Sequence, residues 1–531
     1  MSLLPVAVVV APAAAVLAIL YFRDRPNVRE AWTFAAALAT LGATGWLARV
    51  VLAGARPEAV AGTYVADVEL SLRADPMGAM FALLAATLWL VTSVYSVGYM
   101  RGHDEVSQGR YFAAFAASIA ATMGVALAAN LLTLFVCYEL LTVATYPLVV
   151  HSESDEARAA GRTYLLYTLG GGVALLAGLS LVYVAAGTLS FVPGGVGGLA
   201  ADPLLARAAF GLLVAGFGVK TALVPLHTWL PAAMVAPTPV SGLLHAVAVV
   251  KSGAFGLGRV VTHVYGPETV ADLGLSLPLS TLAAVTMLYA GVVALRQTRI
   301  KRALAYSTVS QLAYIALGFG LAERTAVFGA LLHVPAHAFM KISLFFVAGL
   351  LYVESGVTDV DDMDGLGRRH PVAMAAFAVT AAGLAGFPLV AGFVSKWYLL
   401  VGSLRADAIG FAAALLAAGV LKLLLFWPMI RAAFFRGDPL ASGPARDEAG
   451  RTAADGGAPD GESSASTAGS SLSDRAGARA WEAPSRVWRE SAPALLVPVV
   501  AVALGAIVLG LVPDRLPLFD LATEAVAEVF G

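Results

Sequence analysis

Five of the six lysines in this chain, Lys220, Lys251, Lys341, Lys396 and Lys422, fall inside long apolar stretches, while the polar connections use arginine as their cation almost exclusively. A charged side chain at the centre of a membrane helix costs roughly 2.5 to 3.5 kcal/mol on insertion scales, so five together cost on the order of 12 to 17 kcal/mol before compensation. Packing does not account for such an expense. The residue type matters as well, because a buried lysine can release and regain a proton where an arginine stays charged. The chemistry these five positions suit is proton transfer.

Glu139 is the one acid well inside an apolar stretch, in YELLTVATYPLV (Tyr138 to Val149). A carboxylate and an ammonium that meet in a low-dielectric site trade ionisation states readily. The alternative is a static buried ion pair that orders two helices. Three further residues, His333, His337 and Lys341, follow at i, i+4 and i+8, which puts them on one helix face at intervals of about 6 Å. A zinc reading of His-x3-His is disfavoured, since the intervening VPA holds no glutamate and the surroundings are apolar. A proton relay suits the spacing better. His245 fits the same relay, or equally a satisfied core histidine.

These residues need long apolar elements to hold them. Side chains are 59 % hydrophobic and 13 % charged, with a net charge of -1, against about 25 % charged in ordinary soluble proteins. A soluble enzyme is excluded, and no basic face with aromatic readers points to nucleic acid. Cys137 is the only cysteine, so neither a disulfide framework nor a Cys-based metal site is expected. About 20 residues of helix cross a hydrocarbon core of about 30 Å. Fourteen stretches meet that requirement, roughly 3–22, 31–53, 77–99, 111–129, 131–150, 163–186, 205–230, 240–264, 277–295, 303–322, 326–353, 372–400, 409–435 and 494–512. The first lacks a basic leader and a small-residue cleavage site, so it reads as a membrane helix rather than a removable signal.

Thirteen Lys and Arg residues follow the odd-numbered stretches 1 to 11 and seven follow the even-numbered stretches 2 to 12. Positive charge marks the cytoplasmic side. Both chain ends are therefore expected outside, with Arg296 to Arg302 in the cytoplasm. Gly437 to Arg486 contains no Val, Ile, Phe, Tyr or Met, so it cannot bury enough apolar surface to offset its ordering entropy. It reads as a disordered cytoplasmic linker, with a partner-docking segment as the alternative.

Helix interruptions complete the pattern. Stretch 7 carries Pro225 and Pro231 in KTALVPLHTWLP, and stretch 12 carries Gly386 and Pro388 in GFPLVAGFVSKW. Proline frees backbone carbonyls, which is tolerated where they face protein or water. Two broken helices in corresponding positions suggest inverted repeats about a midplane ion site. Lys220 would then match Lys396, and Lys251 would match Lys422.

The sequence resembles a known family in YELLTVATYPLV, in GVKTALVPLHTWLPAAMVAPTPVSGLLHAVAVVKSGAF (Gly218 to Phe255), in AYSTVSQLAYI (Ala305 to Ile315), in HVPAHAFMKISLFFVAG (His333 to Gly349) and in GFPLVAGFVSKW. These are similar to the antiporter-like subunits shared by Mrp-type multisubunit cation/proton antiporters and respiratory complex I, over about 77–435. The resemblance implies an all-α polytopic membrane protein of 14 transmembrane helices, with inverted five-helix repeats over helices 4 to 8 and 9 to 13. The organisation expected is 1–100 (three helices), 101–264 (first repeat), 265–436 (second repeat), 437–490 (linker) and 491–531 (last helix and tail). It further implies Glu139 and Lys220 as the first half's charge pair, Lys251 with His245 as the central relay, His337 with Lys341 as the link onward, and Lys396 as the terminal site. Three positions depart from the family pattern: Gln311 and Met234 stand where many members have histidine, and Pro335 interrupts helix 11. The wording LPAAMVAPTPVS leans toward the D-type subunit of Mrp antiporters.

The expected function is proton translocation within a sodium/proton antiporter of the cell membrane, by a subunit that transports ions and is not an enzyme in itself. Its partners would be other hydrophobic subunits, protons, a monovalent cation and lipid. A redox-driven pump of the complex I or membrane-bound hydrogenase kind is the first alternative, and a non-transporting scaffold the second. No P-loop, dinucleotide turn or redox-cofactor motif is present, so no cofactor or metal is expected on this chain.

Overall fold

The apolar stretches become helices because runs of Ala, Leu, Val and Gly this long leave the backbone no hydrogen-bond partners in lipid except its own. The computed structural model describes residues 2–65, 68–103, 105–437 and 490–531. The first six helices are α1 (Leu4–Tyr21), α2 (Pro26–Leu52), α3 (Pro76–Gly102), α4 (Gln108–Leu127), α5 (Leu131–Val149) and α6 (Asp155–Ala186). Then come α7 (Pro203–Thr221), a short α8 (Trp229–Ala232), α9 (Thr238–Ala246), α10 (Val249–Arg259), a π-helical turn at Val260–Tyr265, and α11 (Pro267–Asp272). The rest comprises α12 (Ser276–Ala294), α13 (Ile300–Gly320), α14 (Arg324–Ser355), α15 (Leu366–Arg369), α16 (Pro371–Ala385), α17 (Ala391–Arg405), α18 (Ile409–Phe435), α19 (Pro493–Leu511) and α20 (Pro517–Phe530). Twelve helical segments among the described residues are long and apolar enough to cross a membrane. The chain is a mostly helical, multi-span membrane protein.

Several local expectations are corrected. An antiparallel hairpin, β1 (Glu58–Val65) with β2 (Val68–Arg73), makes the protein not purely helical. It is pinned to the α4–α5 turn, where Asn130 Nδ2 donates to the Glu69 carbonyl at 2.8 Å and Ala129 N to the Ser71 carbonyl at 3.0 Å. Stretch 7 stops at Thr221, where Ala222 turns left-handed, and does not run on to Leu230. Stretch 8 is itself broken at Val247 and Ala248, between α9 and α10. Pro335 does not interrupt its helix, because α14 runs through it without a gap. Proline removes one donor and crowds one carbonyl, and the packing around this buried helix holds the rest. Stretch 12 is broken as expected, between α16 and α17. Gly386 closes α16 at φ +107°, a backbone region that suits glycine. The expected linker, 437–490, falls almost wholly outside the described residues.

Contacts between loops sort them into two ends. At one end Arg299 lies 4.0 Å from Glu156, Ile300 N donates to the Thr358 carbonyl, and Tyr352 OH meets His103 Nε2 at 3.1 Å. At the other end lie the hairpin, the Arg56–Glu528 ion pair to α20, and the buried pair Asp75–Arg259, whose atoms approach to 2.6 Å. Asp75 also caps α3 by accepting from Gly78 N. Large apolar side chains such as Leu17, Leu166, Val173, Leu204, Ile409 and Val497 point outward from α1, α6, α7, α18 and α19. The interior, built on α3, α4, α9, α10, α13 and α14, is where the polar and charged residues collect. Such an inside-out arrangement suits lipid as solvent.

Candidate functional site

Lys220, Lys251, Lys341 and Lys422 are all fully buried, as are His245, His333, His337 and Gln311. Their positions follow from the helix breaks. Where α7 ends, Lys220 sits in the last turn and its ammonium turns to α5, donating to the Tyr138 carbonyl. It also lies over the Tyr138 ring, 3.4 Å from the centroid. The carboxylate of Glu139 is the next residue along α5, but the two do not form an ion pair. Glu139 Oε1 is buried without a hydrogen-bond partner, against α6 at Gly172. The expected charge pair is therefore an electrostatic neighbourhood, with the Tyr138 carbonyl holding the ammonium at this moment.

On the other side of Lys220, α10 packs Gly253 against the Lys220–Thr221 peptide. Two residues earlier, Lys251 reaches α14, where its Nζ and His337 Nδ1 are 2.7 Å apart. One turn back on α14 is His333, with ring centroids separated by 6.1 Å, as i and i+4 spacing dictates. His333 is engaged on both nitrogens, Nε2 with Gln311 Oε1 and Nδ1 with Ser395 Oγ, each at 2.8 Å. Neither lone pair is left for a metal. Among the described residues no group of three His, Cys, Asp or Glu side chains could hold one.

Beyond Gln311 the line reaches the broken helix. Gln311 Nε2 donates to the Leu384 carbonyl at 3.4 Å, and Lys396 Nζ donates to the same oxygen. That carbonyl lies in the last turn of α16, which the break at Gly386 leaves without helical partners further on. Lys396 also stands 4.9 Å from the ring of Tyr314. The structure thus brings Lys251, His337, His333, Gln311 and Lys396 into one buried file across α10, α14, α13 and α17.

Two expected members stand apart. Lys341 is held by the Leu304 carbonyl at 3.0 Å and by Ser307 Oγ, both on α13. His245 stacks on Phe345 with ring centroids 4.7 Å apart, and neither of its nitrogens has a partner. Sequence reading missed Tyr138, Ser307, Tyr314 and Ser395. Ser395 was within reach of it, being the residue before Lys396 in the interrupted stretch.

A family profile described as NADH:quinone oxidoreductase/Mrp antiporter, TM, matches residues 128–422, and one described as NADH-Ubiquinone oxidoreductase (complex I), chain 5 N-terminus, matches 63–112. NADH-quinone oxidoreductase subunit N of Desulforudis audaxviator is 32 % identical over 529 residues, covering 97 % of this chain and 96 % of that protein. The A-type Na(+)/H(+) antiporter subunit of Alkalihalophilus pseudofirmus is 32 % identical over 377 residues, 68 % of this chain and 46 % of that protein. The chain thus spans less than half of that longer relative. In fold it is similar to a chain of the Mrp complex from Dietzia sp. (TM-score 0.81, 23 % identity, covering 100 % and 98 % of the two chains). It is equally similar to one from the membrane-bound sulfane sulfur reductase, an archaeal respiratory membrane complex (TM-score 0.81, 21 % identity, covering 99 % and 98 %). With more than half its length matched by the first profile, this chain belongs to the NADH:quinone oxidoreductase/Mrp antiporter transmembrane family.

Proposed function

We propose that this chain is the proton-translocating subunit of a multisubunit monovalent cation/proton antiporter of Mrp type, exchanging sodium for protons. The buried file from Lys251 through His337, His333 and Gln311 to Lys396 carries this reading. Protons enter from one face near Glu139 and Lys220, pass along the file, and leave beyond Lys396, with water completing the gaps. The architecture we attach to it is fourteen crossings, with inverted repeats over 101–264 and 265–436 and the basic loops on the cytoplasmic side. The antiporter relatives and the LPAAMVAPTPVS segment support the Mrp assignment.

A redox-driven pump is the second reading, favoured by the end-to-end similarity to a quinone oxidoreductase subunit. The two differ in what drives the protons. The complex, purified from its native membrane and reconstituted, should move protons on a sodium pulse with no electron donor present. Proton movement that requires NADH and quinone turnover, and ignores sodium, would replace the antiporter reading with the pump.

A further inference from the structure

We propose that Lys422 carries protons between Lys341 and Lys396, giving the second half of the chain a route around Gln311. The inference rests on proton translocation as the function. Gln311 is where a fully titratable file fails: an amide accepts and donates hydrogen bonds but does not take up a proton at ordinary pH.

The geometry of α18 supplies the alternative. Its buried stripe runs through Leu415, Ala418, Lys422, Leu425 and Phe426. At one end of the stripe the Leu415 carbonyl accepts from Tyr314 OH at 3.1 Å, and the Tyr314 ring is 4.9 Å from Lys396 Nζ. At the other, the Phe426 ring lies 5.9 Å from Lys341 Nζ. Lys422 stands between them on the same face, two turns from Leu415 and one from Phe426. It is fully buried, its Nζ has no hydrogen-bond partner, and both Lys341 and Lys396 are within its electrostatic reach. A cavity of about 400 Å³ lined by Tyr314, Lys396, Gly419 and Leu423 runs alongside, roomy enough for several waters.

The step is a proton relay with no change in heavy-atom bonds. The Lys341 ammonium gives a proton through water to the neutral amine of Lys422, leaving Lys341 neutral and Lys422 cationic. Lys422 then passes that proton to neutral Lys396 and is ready for the next.

The test is proton movement by the whole complex in vesicles, normalised to assembled protein. Lys422→Met, similar in length and apolar, should slow transport about a hundredfold. Adding Gln311→His to that variant should recover most of the rate, because it makes the first file titratable throughout. A merely structural lysine would not be rescued from α13, so no recovery overturns the proposal. Wild-type rates in Lys422→Met overturn it too. Should Lys422→Met fail to assemble, Lys422→Arg keeps the charge but cannot release it; it should be equally slow, and normal rates would again be contrary. Lys220→Arg is the control. If Lys220→Arg is inactive and Lys422→Met is normal, only the bypass fails; if both run normally, proton translocation by this chain fails with it.

Discussion

Lys251 Nζ and His337 Nδ1 are 2.7 Å apart in the wholly buried centre of the protein, and this contact is the only direct link between α10 and the histidine face of α14 that the hydrogen bonds of the described residues provide. The far nitrogen of His337, Nε2, has no partner. A proton arriving from Lys251 therefore meets a ring with one free nitrogen facing onward. His337→Ala and His337→Gln should both reduce proton transport by roughly a hundredfold, since glutamine restores a hydrogen bond but not a titrating group. Glutamine running at the wild-type rate would make the contact structural.

Gly172 sets the place of Glu139. A Cβ there would stand 2.7 Å from Glu139 Oε1, so Gly172→Ala must displace the carboxylate. Alanine also favours helix by about 1 kcal/mol over glycine, which keeps α6 stable. We expect transport to fall about tenfold while thermal stability in detergent holds. Undiminished transport would place Glu139 outside the route.

The opposite end of the molecule is held by charge in a different way. Arg259 is fully buried and grips Asp75 with two nitrogens, at 2.6 and 2.8 Å. Arg259→Leu leaves a buried carboxylate unpaired, at a cost of about 3–5 kcal/mol. The variant should accumulate poorly and melt early, and Asp75→Leu added to it should recover part of the loss. Recovery stays incomplete because Asp75 also caps α3.

Acid sensitivity should centre on His151, which lies just past the end of α5, 3.7 Å from Glu105. Burial, with Arg110 assisting, pushes this imidazole down to about 4, while burial pushes the Glu105 carboxyl up. Between its unfolded value near 6.5 and about 4, His151 binds its proton more readily in the unfolded chain. Its contribution to stability is thus present at neutral pH and is lost as the pH falls through that window. Glu105 acts in the opposite sense, so the comparison must isolate the histidine. His151→Leu should lose less thermal stability than wild type between pH 7 and 5. Equal losses would remove His151 as the cause.

Much of this arrangement was legible in the residues. Lysines in apolar stretches are visible because their cost is visible, and the His333, His337 and Lys341 face follows from helical spacing. The break at Gly386 was announced by glycine and proline together. The break in stretch 8 was not, since Val247 and Ala248 carry no such mark and their turn is imposed by tertiary packing. The hairpin was passed over because its alternation, as in VELSLR, is short beside the long apolar runs. The α20 helix was overlooked because PLFDLATEAVAEVF is amphipathic and lies beyond the last apolar stretch. Partners made by backbone oxygens, such as Tyr138 for Lys220 and Leu384 for Lys396, leave no trace in residue type. The separation of Glu139 from Lys220 is of that kind.

The central claim is that the buried lysines act by exchanging protons, and Lys220 tests it most directly. It is fully buried at the end of α7 and donates to the Tyr138 carbonyl. Lys220→Arg preserves a cation that can make the same bond but cannot release its proton. Sodium-induced proton movement should be measured in vesicles containing the intact complex, for Lys220→Arg and Lys220→Ala at equal assembly. Both variants should be nearly inactive. An arginine variant that transports at the wild-type rate would contradict the account and leave Lys220 a fixed charge.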